Sequence, residues 1–205
     1  AKGGQPHLLV MSATPIPRTL ALMIYGDLDL SVLDELPPGR IPVKTYAIPS
    51  SKRGRAFGFV RRHAEAGRQT YIICPMIDEG DDDRASVTQY ADRLRREWLP
   101  GLAVGELHGR MKPAEKEDVM ARFAAGELSV LVSTTVVEVG VDVPNAAVML
   151  IENAERYGLS QLHQLRGRVG RGREQSYCIL VTDAQNKEAQ ARMGVCRTCV
   201  DQYCG

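Results

Sequence analysis

The chain has 205 residues, 25% of them charged and 44% hydrophobic, and a formal net charge of +1. This is a globular composition, long enough for one α/β domain plus a fragment and too short for two full domains of that kind. Bulk charge cannot drive nucleic-acid binding here, no apolar run approaches the ~18–20 residues of a membrane span, no signal-peptide h-region follows Ala1-Lys2-Gly3-Gly4, and five Cys without a secretory signal read as reduced, cytoplasmic thiols.

Residues 7–12 read as a short buried strand, and 18–25 as a helix opened by the two prolines of Ala13-Thr14-Pro15-Ile16-Pro17-Arg18. Glu35-Leu36-Pro37-Pro38-Gly39-Arg40 breaks the pattern and marks a linker. The expected division is a remnant of one domain over 1–36, a linker over 37–42, a complete domain over 43–183 and an incomplete extension over 184–205. From Val43 the pattern is regular. Val43–Ile48 is strand-like, and 51–66 places Phe57, Val60 and Ala64 at helical spacing with Gly67 as the C-terminal cap. Thr70–Ile77 has the length and apolarity of a buried strand. Residues 84–98 carry Val87, Tyr90, Ala91, Leu94 and Trp98 on one helical face. Leu102–Leu107 is a strand, and Pro113 opens a helix with Met120, Phe123 and Ala124 on its apolar side.

Leu128–Ser133 and Ala146–Ile151 are further strands, 160–171 a helix and Tyr177–Thr182 a last strand. The strands are apolar throughout and alternate with helices, which predicts an α/β parallel sheet covered on both faces. Ligands of such a sheet bind outside the carboxyl ends of its strands, and the chemical motifs are expected at that edge. The acidic run Glu79-Gly80-Asp81-Asp82-Asp83 lies between strand and helix and reads as a solvated loop, because nothing nearby completes a cation cage.

The most specific motif is Gln164-Leu165-Arg166-Gly167-Arg168-Val169-Gly170-Arg171. On one continuous helix Gln164, Arg168 and Arg171 share a face, while Leu162, Leu165 and Val169 turn to the core. Two glycines cost such a helix about 1 kcal/mol each relative to Ala. They clear space for a close approach, and guanidinium groups grip phosphate in a bidentate fork. The motif therefore points to a polyphosphate. Ser133-Thr134-Thr135-Val136-Val137-Glu138-Val139-Gly140-Val141-Asp142 follows a buried strand, so its hydroxyls and amides suit a nucleic-acid phosphate and Asp142 suits ribose hydroxyls. His108-Gly109-Arg110-Met111 precedes the helix at Pro113 and offers an anion seat; His108 reads equally as a structural histidine. Ser12-Ala13-Thr14-Pro15 alone reads as a capped turn.

These four motifs in this order resemble those of superfamily 2 helicases. The segments Ser12–Leu20, Tyr25–Arg40 and Ile151–Arg166 are similar to the bacterial RecG helicase family, and the resemblance covers roughly residues 7–185. The transcription-repair coupling translocases share the arginine motif and the Thr14-Pro15-Ile16-Pro17-Arg18 segment; Asp34-Glu35-Leu36-Pro37-Pro38-Gly39 favours RecG. A non-catalytic helicase-like binding module is the remaining reading, against which Arg168 and Arg171 together argue.

The resemblance implies a RecA-like second motor domain of an ATP-dependent helicase that remodels stalled forks and Holliday junctions in the bacterial cytoplasm. It implies Arg168, Arg171 and Gln164 as catalytic, with Gly140 and Asp142 beside the nucleotide. His108, Gly109, Arg110, Thr134, Thr135 and Glu138 would lie along DNA, and Ser12, Ala13, Thr14 and Arg18 would couple the domains. ATP and Mg2+ would be held mainly by a first motor domain. The partners would be branched or forked duplex DNA and the first motor and wedge domains of the same, monomeric protein. The chain itself has no Gly-x-x-x-x-Gly-Lys-Ser/Thr loop and no Asp-Glu-x-His box, so it is expected to be inactive alone. No metal is expected: Cys196, Cys199 and Cys204 lack a fourth ligand nearby.

Overall fold

The computed structural model describes residues 9, 11, 31, 39–74, 83–134 and 143–183. The chain divides into two units, Ala1–Asp34 and Glu35–Gly205, and the described elements belong to the second. The strand and helix expected over 7–12 and 18–25, the acidic run at 79–82 and the cysteines of the C-terminal segment lie outside the described residues.

Among the described residues six parallel strands form one sheet: β1 (Lys44–Ile48), β2 (Gln69–Ile73), β3 (Val104–Leu107), β4 (Val130–Ser133), β5 (Ala146–Ile151) and β6 (Tyr177–Val181). Their spatial order is β1-β6-β5-β2-β4-β3, and every pairing is parallel. The central strands β2, β4 and β5 are buried at every position. Both of their faces meet hydrophobic layers, which is why their sequences are unbroken apolar runs rather than alternating ones.

Among the described residues four α-helices cover the two faces: α1 (Arg53–Glu65), α2 (Asp83–Arg93), α3 (Pro113–Ala124) and α4 (Leu159–Arg166). One apolar layer joins Phe57 and Val60 of α1 and Val87 and Ala91 of α2 to Ile72, Val132 and Leu150 of the sheet. The other joins Met120 and Phe123 of α3 and Leu162 and Leu165 of α4 to Tyr71, Leu131 and Met149. The RecA-like α/β expectation therefore holds, with α1 and α2 on one face and α3 and α4 on the other.

Two helices depart from their expected course. Past Arg93 the second widens into a π-turn over Leu94–Trp98, closed by the Leu99 amide donating to the Leu94 carbonyl at 2.7 Å. That wider turn seats Trp98 on Phe57, ring centroids 4.4 Å apart. The fourth ends at Arg166, not at 171. Its chain continues as turns to Gly170, whose φ of +80° no helix permits.

Candidate functional site

A helix that links parallel strands runs antiparallel to them. Hence α4 starts at the carboxyl edge of β5 and ends at the amino edge of the sheet. The expectation that all motifs gather at the carboxyl edge is accordingly corrected. His108–Arg110 and Thr134 lie at the carboxyl edge, directly after β3 and β4. Arg168 and Arg171 lie beyond the end of α4, at the amino edge.

The glycines of the arginine turn locate it. A Cβ at Gly170 would come within 2.5 Å of Val43, which precedes β1, and one at Gly172 would strike the carbonyl of Pro144, which precedes β5. The close approach that these glycines allow is thus, first, within the chain itself: to the Val43 side chain at Gly170 and to the Pro144 backbone at Gly172. The shared helical face of Gln164, Arg168 and Arg171 is corrected for the same reason: Gln164 is in α4 and exposed, while the two arginines follow Gly167 on the turn. Leu162, Leu165 and Val169 are buried, as expected. The Arg168 amide donates to the Leu165 carbonyl at 3.0 Å, and Arg171 Nε donates to the Gly167 carbonyl at 3.4 Å. Arg168 is half-buried and Arg171 exposed. Two guanidinium groups three residues apart on a rigid turn suit an anion with several oxygens.

At the carboxyl edge, His108–Met111 form a turn closed by the Met111 amide on the His108 carbonyl, 3.2 Å. Gly109 and Arg110 are exposed; His108 is half-buried, and its Nδ1 is buried without a hydrogen-bond partner among the described residues. The anion seat at the start of α3 is already partly filled: Glu115 accepts from the Lys112 amide at 2.8 Å. Thr134 is only 3% exposed, so its side chain is not presented to a ligand. Its carbonyl accepts from the Tyr157 hydroxyl at 3.3 Å, and burial pushes that phenol up to about 12. Thr135, Glu138, Gly140 and Asp142, like Ser12, Ala13, Thr14 and Arg18, lie outside the described residues. The segment holding the first four leaves Thr134 at the carboxyl edge and rejoins Val143 at the amino edge, so its two ends stand at opposite edges of the sheet.

Motif reading missed a charged cluster at the carboxyl edge. Glu152, one residue past β5 and 1% exposed, receives Arg53 Nε at 2.9 Å and Nη2 at 2.8 Å. The Tyr90 hydroxyl donates to Glu152 Oε1, the oxygen that also accepts from Arg53 Nε, at 2.8 Å. This pairing holds the Arg53 guanidinium above its ordinary value. Burial, and then the neighbouring carboxylate, hold the Tyr90 phenol well above its own. The one available signal was a Glu directly after an apolar run, where a lone carboxylate needs a partner.

Comparison with known proteins follows the same lines. The helicase conserved C-terminal domain matches residues 54–173. The ATP-dependent DNA helicase RecG of Synechocystis sp. is 53% identical over 205 residues, which are 99% of this chain and 24% of that protein. RecG of Escherichia coli (strain K12) is 54% identical over 205 residues, 98% of this chain and 29% of its own length. A structure of RecG bound to a three-way DNA junction superposes with a TM-score of 0.76 at 48% identity, covering 90% of this chain and 24% of that one. The chain thus spans between about a quarter and a third of the length of the relatives it matches.

Proposed function

We propose, given that this chain belongs to the helicase conserved C-terminal domain family, that it is the second motor half of an ATP-driven helicase that remodels branched DNA. The observation that carries this reading is that Arg168 and Arg171 stand at one edge of the sheet and Gly109 and Arg110 at the opposite one. The amino edge, with Arg168 and Arg171, faces the ATP phosphates. The carboxyl edge, with Gly109 and Arg110, faces the DNA backbone. Strands of 4–6 residues keep the two about 13–20 Å apart.

Each surface has its own chemistry. Negative charge grows on the transferring phosphoryl oxygens as ATP is cleaved, and a preorganised guanidinium stabilises that charge more than the ground state. Arg171, exposed on its turn, is the stabilising group, with Arg168 beside it. Gln164, two residues before the end of α4, orients the attacking water, and Gly140 and Asp142 border the nucleotide. Mg2+ and the polyphosphate cradle belong to a first motor half, since this sequence carries no phosphate-binding loop. Arg110 and the Gly109 amide bind backbone phosphate without reading sequence. Thr134, being buried, supports the strand end that holds Thr135 and Glu138 near DNA. Ser12, Ala13, Thr14 and Arg18 couple the two halves. The reading includes a monomeric protein with forked or four-way DNA as substrate, acting in the bacterial cytoplasm; no helix among the described residues is long and apolar enough to cross a membrane.

A phosphate-release assay with forked DNA tests it. The isolated chain is expected at background, and the full-length motor containing it is expected to turn over ATP in a DNA-dependent way. DNA-stimulated turnover by the isolated chain, or a DNA-indifferent full-length protein, overturns the proposal.

A further inference from the structure

The carboxyl edge carries one more cation whose setting differs from that of the exposed lysines and arginines around it. Arg53, the first residue of α1, is 28% exposed at its side chain. Its Nε and Nη2 are both committed to Glu152, at 2.9 and 2.8 Å. Its third nitrogen, Nη1, is not engaged by Glu152, and the exposed Asp183 carboxylate also acts on the guanidinium. The carboxylate holding it cannot swing away. Tyr90 of α2 donates to Glu152 Oε1 at 2.8 Å, and the Glu152 amide donates to the Ile73 carbonyl of β2 at 2.9 Å. Glu152 therefore fastens α1 and α2 to the middle of the sheet.

The place is not neutral either. The chain leaves β2 for α2 on one face and leaves β5 for α4 on the other. Adjacent parallel strands whose connections diverge in this way open a crevice at their carboxyl ends, where ligands of α/β sheets bind. Glu152 stands at that divergence. From β5 to β3, where Arg110 follows, the edge crosses three strand spacings, about 14 Å.

We propose that Glu152 is a positioning residue that holds Arg53 as a backbone-phosphate contact on the DNA-facing edge. This deepens the function proposed above and rests on it. A partly exposed guanidinium gripped along one side by a buried carboxylate has already lost the rotamer freedom that a free arginine must give up on binding phosphate. Glu152 never touches DNA. It acts through Arg53, and the Tyr90 hydroxyl acts through Glu152.

The test compares the full-length motor with its Glu152→Gln and Arg53→Met/Glu152→Gln variants, measuring forked-duplex affinity across a salt series and kcat at saturating DNA. Arg53→Met alone would strand a buried carboxylate, so the neutral double variant replaces it. Glu152→Gln keeps an acceptor for Tyr90 but loosens Arg53. It is expected to weaken DNA binding about 3- to 10-fold while kcat at saturating DNA stays within about twofold, a split that general misfolding does not produce. The double variant is expected to lose about one unit of salt slope. An unchanged slope in the double variant means that Arg53 touches no phosphate. Native affinity in Glu152→Gln means that Glu152 positions nothing. Either result overturns the proposal. Arg110→Ala, measured alongside, separates the two levels. If its slope falls while that of the double variant does not, only the present inference fails; if its slope is also unchanged, the DNA-edge reading fails with it.

Discussion

A methyl group at Gly172 would run into the backbone carbonyl of Pro144. A carbonyl that leads straight into a central strand has little room to move, unlike the tip of a flexible side chain. Gly172→Ala is therefore expected to cost about 1–3 kcal/mol by overpacking, lowering the thermal midpoint of the chain by several degrees. An unchanged midpoint in a calorimetric scan would show that the arginine turn is not clamped against β5. The same contacts explain what was legible at this scale. The motif announced two arginines and a need for close approach, and both are present. It could not say which surface does the approaching. The spacing i, i+4, i+7 fits a helix perfectly well, yet Gly170 at φ +80° cannot continue one, and no single-residue preference distinguishes a helical glycine from a left-handed one. Glu152 was passed over for a related reason: its partners Arg53 and Tyr90 are 99 and 62 residues away, so nothing local marks it as paired.

Among the elements, the strands were the most legible, because burial on both faces demands apolar runs, and β1 to β6 fall within a few residues of where those runs lie. The helices on each face were also readable from their apolar spacing. Which end of the sheet a motif reaches was not. The arginine motif follows a helix rather than a strand, and a crossover helix returns the chain to the amino edge. The carboxyl edge, where ligands of such sheets bind, therefore carries His108–Arg110 but not Arg168 and Arg171. The end of α1 bears a pH dependence. His63 packs against Phe59 and Tyr177, with ring centroids 4.3 and 5.4 Å away. Burial, and then Arg62 and Arg68, hold its pKa below 6.5. The folded state thus takes up the proton less readily than the unfolded chain. Its contribution is complete above about pH 6.5 and is lost as pH falls through the lowered folded value. His63→Phe, which keeps an aromatic ring and removes the titration, should flatten the fall in thermal midpoint between pH 7.5 and 5.5. An identical fall in the variant would assign the acid sensitivity elsewhere.

For the whole molecule the central claim is that one sheet keeps two phosphate chemistries at its opposite edges. The proposed motor would need this arrangement, since a group sensing ATP cleavage and a group gripping DNA must move together without competing for the same anion. The helix α4 runs between those edges and joins one to the other through continuous chain. The claim separates two kinds of loss that a single mixed site would merge. An arginine that stabilises transition-state charge is worth roughly 10³–10⁵ in rate. A backbone-phosphate contact is worth affinity and about one unit of salt slope. The direct measurement is kcat for ATP together with a salt titration of forked-DNA binding, on Arg171→Ala, Arg171→Lys and Arg110→Ala of the full-length motor. The account predicts that Arg171→Ala loses turnover and keeps DNA affinity, that lysine does not restore it because a point charge lacks the planar fork, and that Arg110→Ala loses affinity and slope while kcat at saturating DNA survives. Near-normal turnover in Arg171→Ala, accompanied by weakened DNA binding, would contradict it.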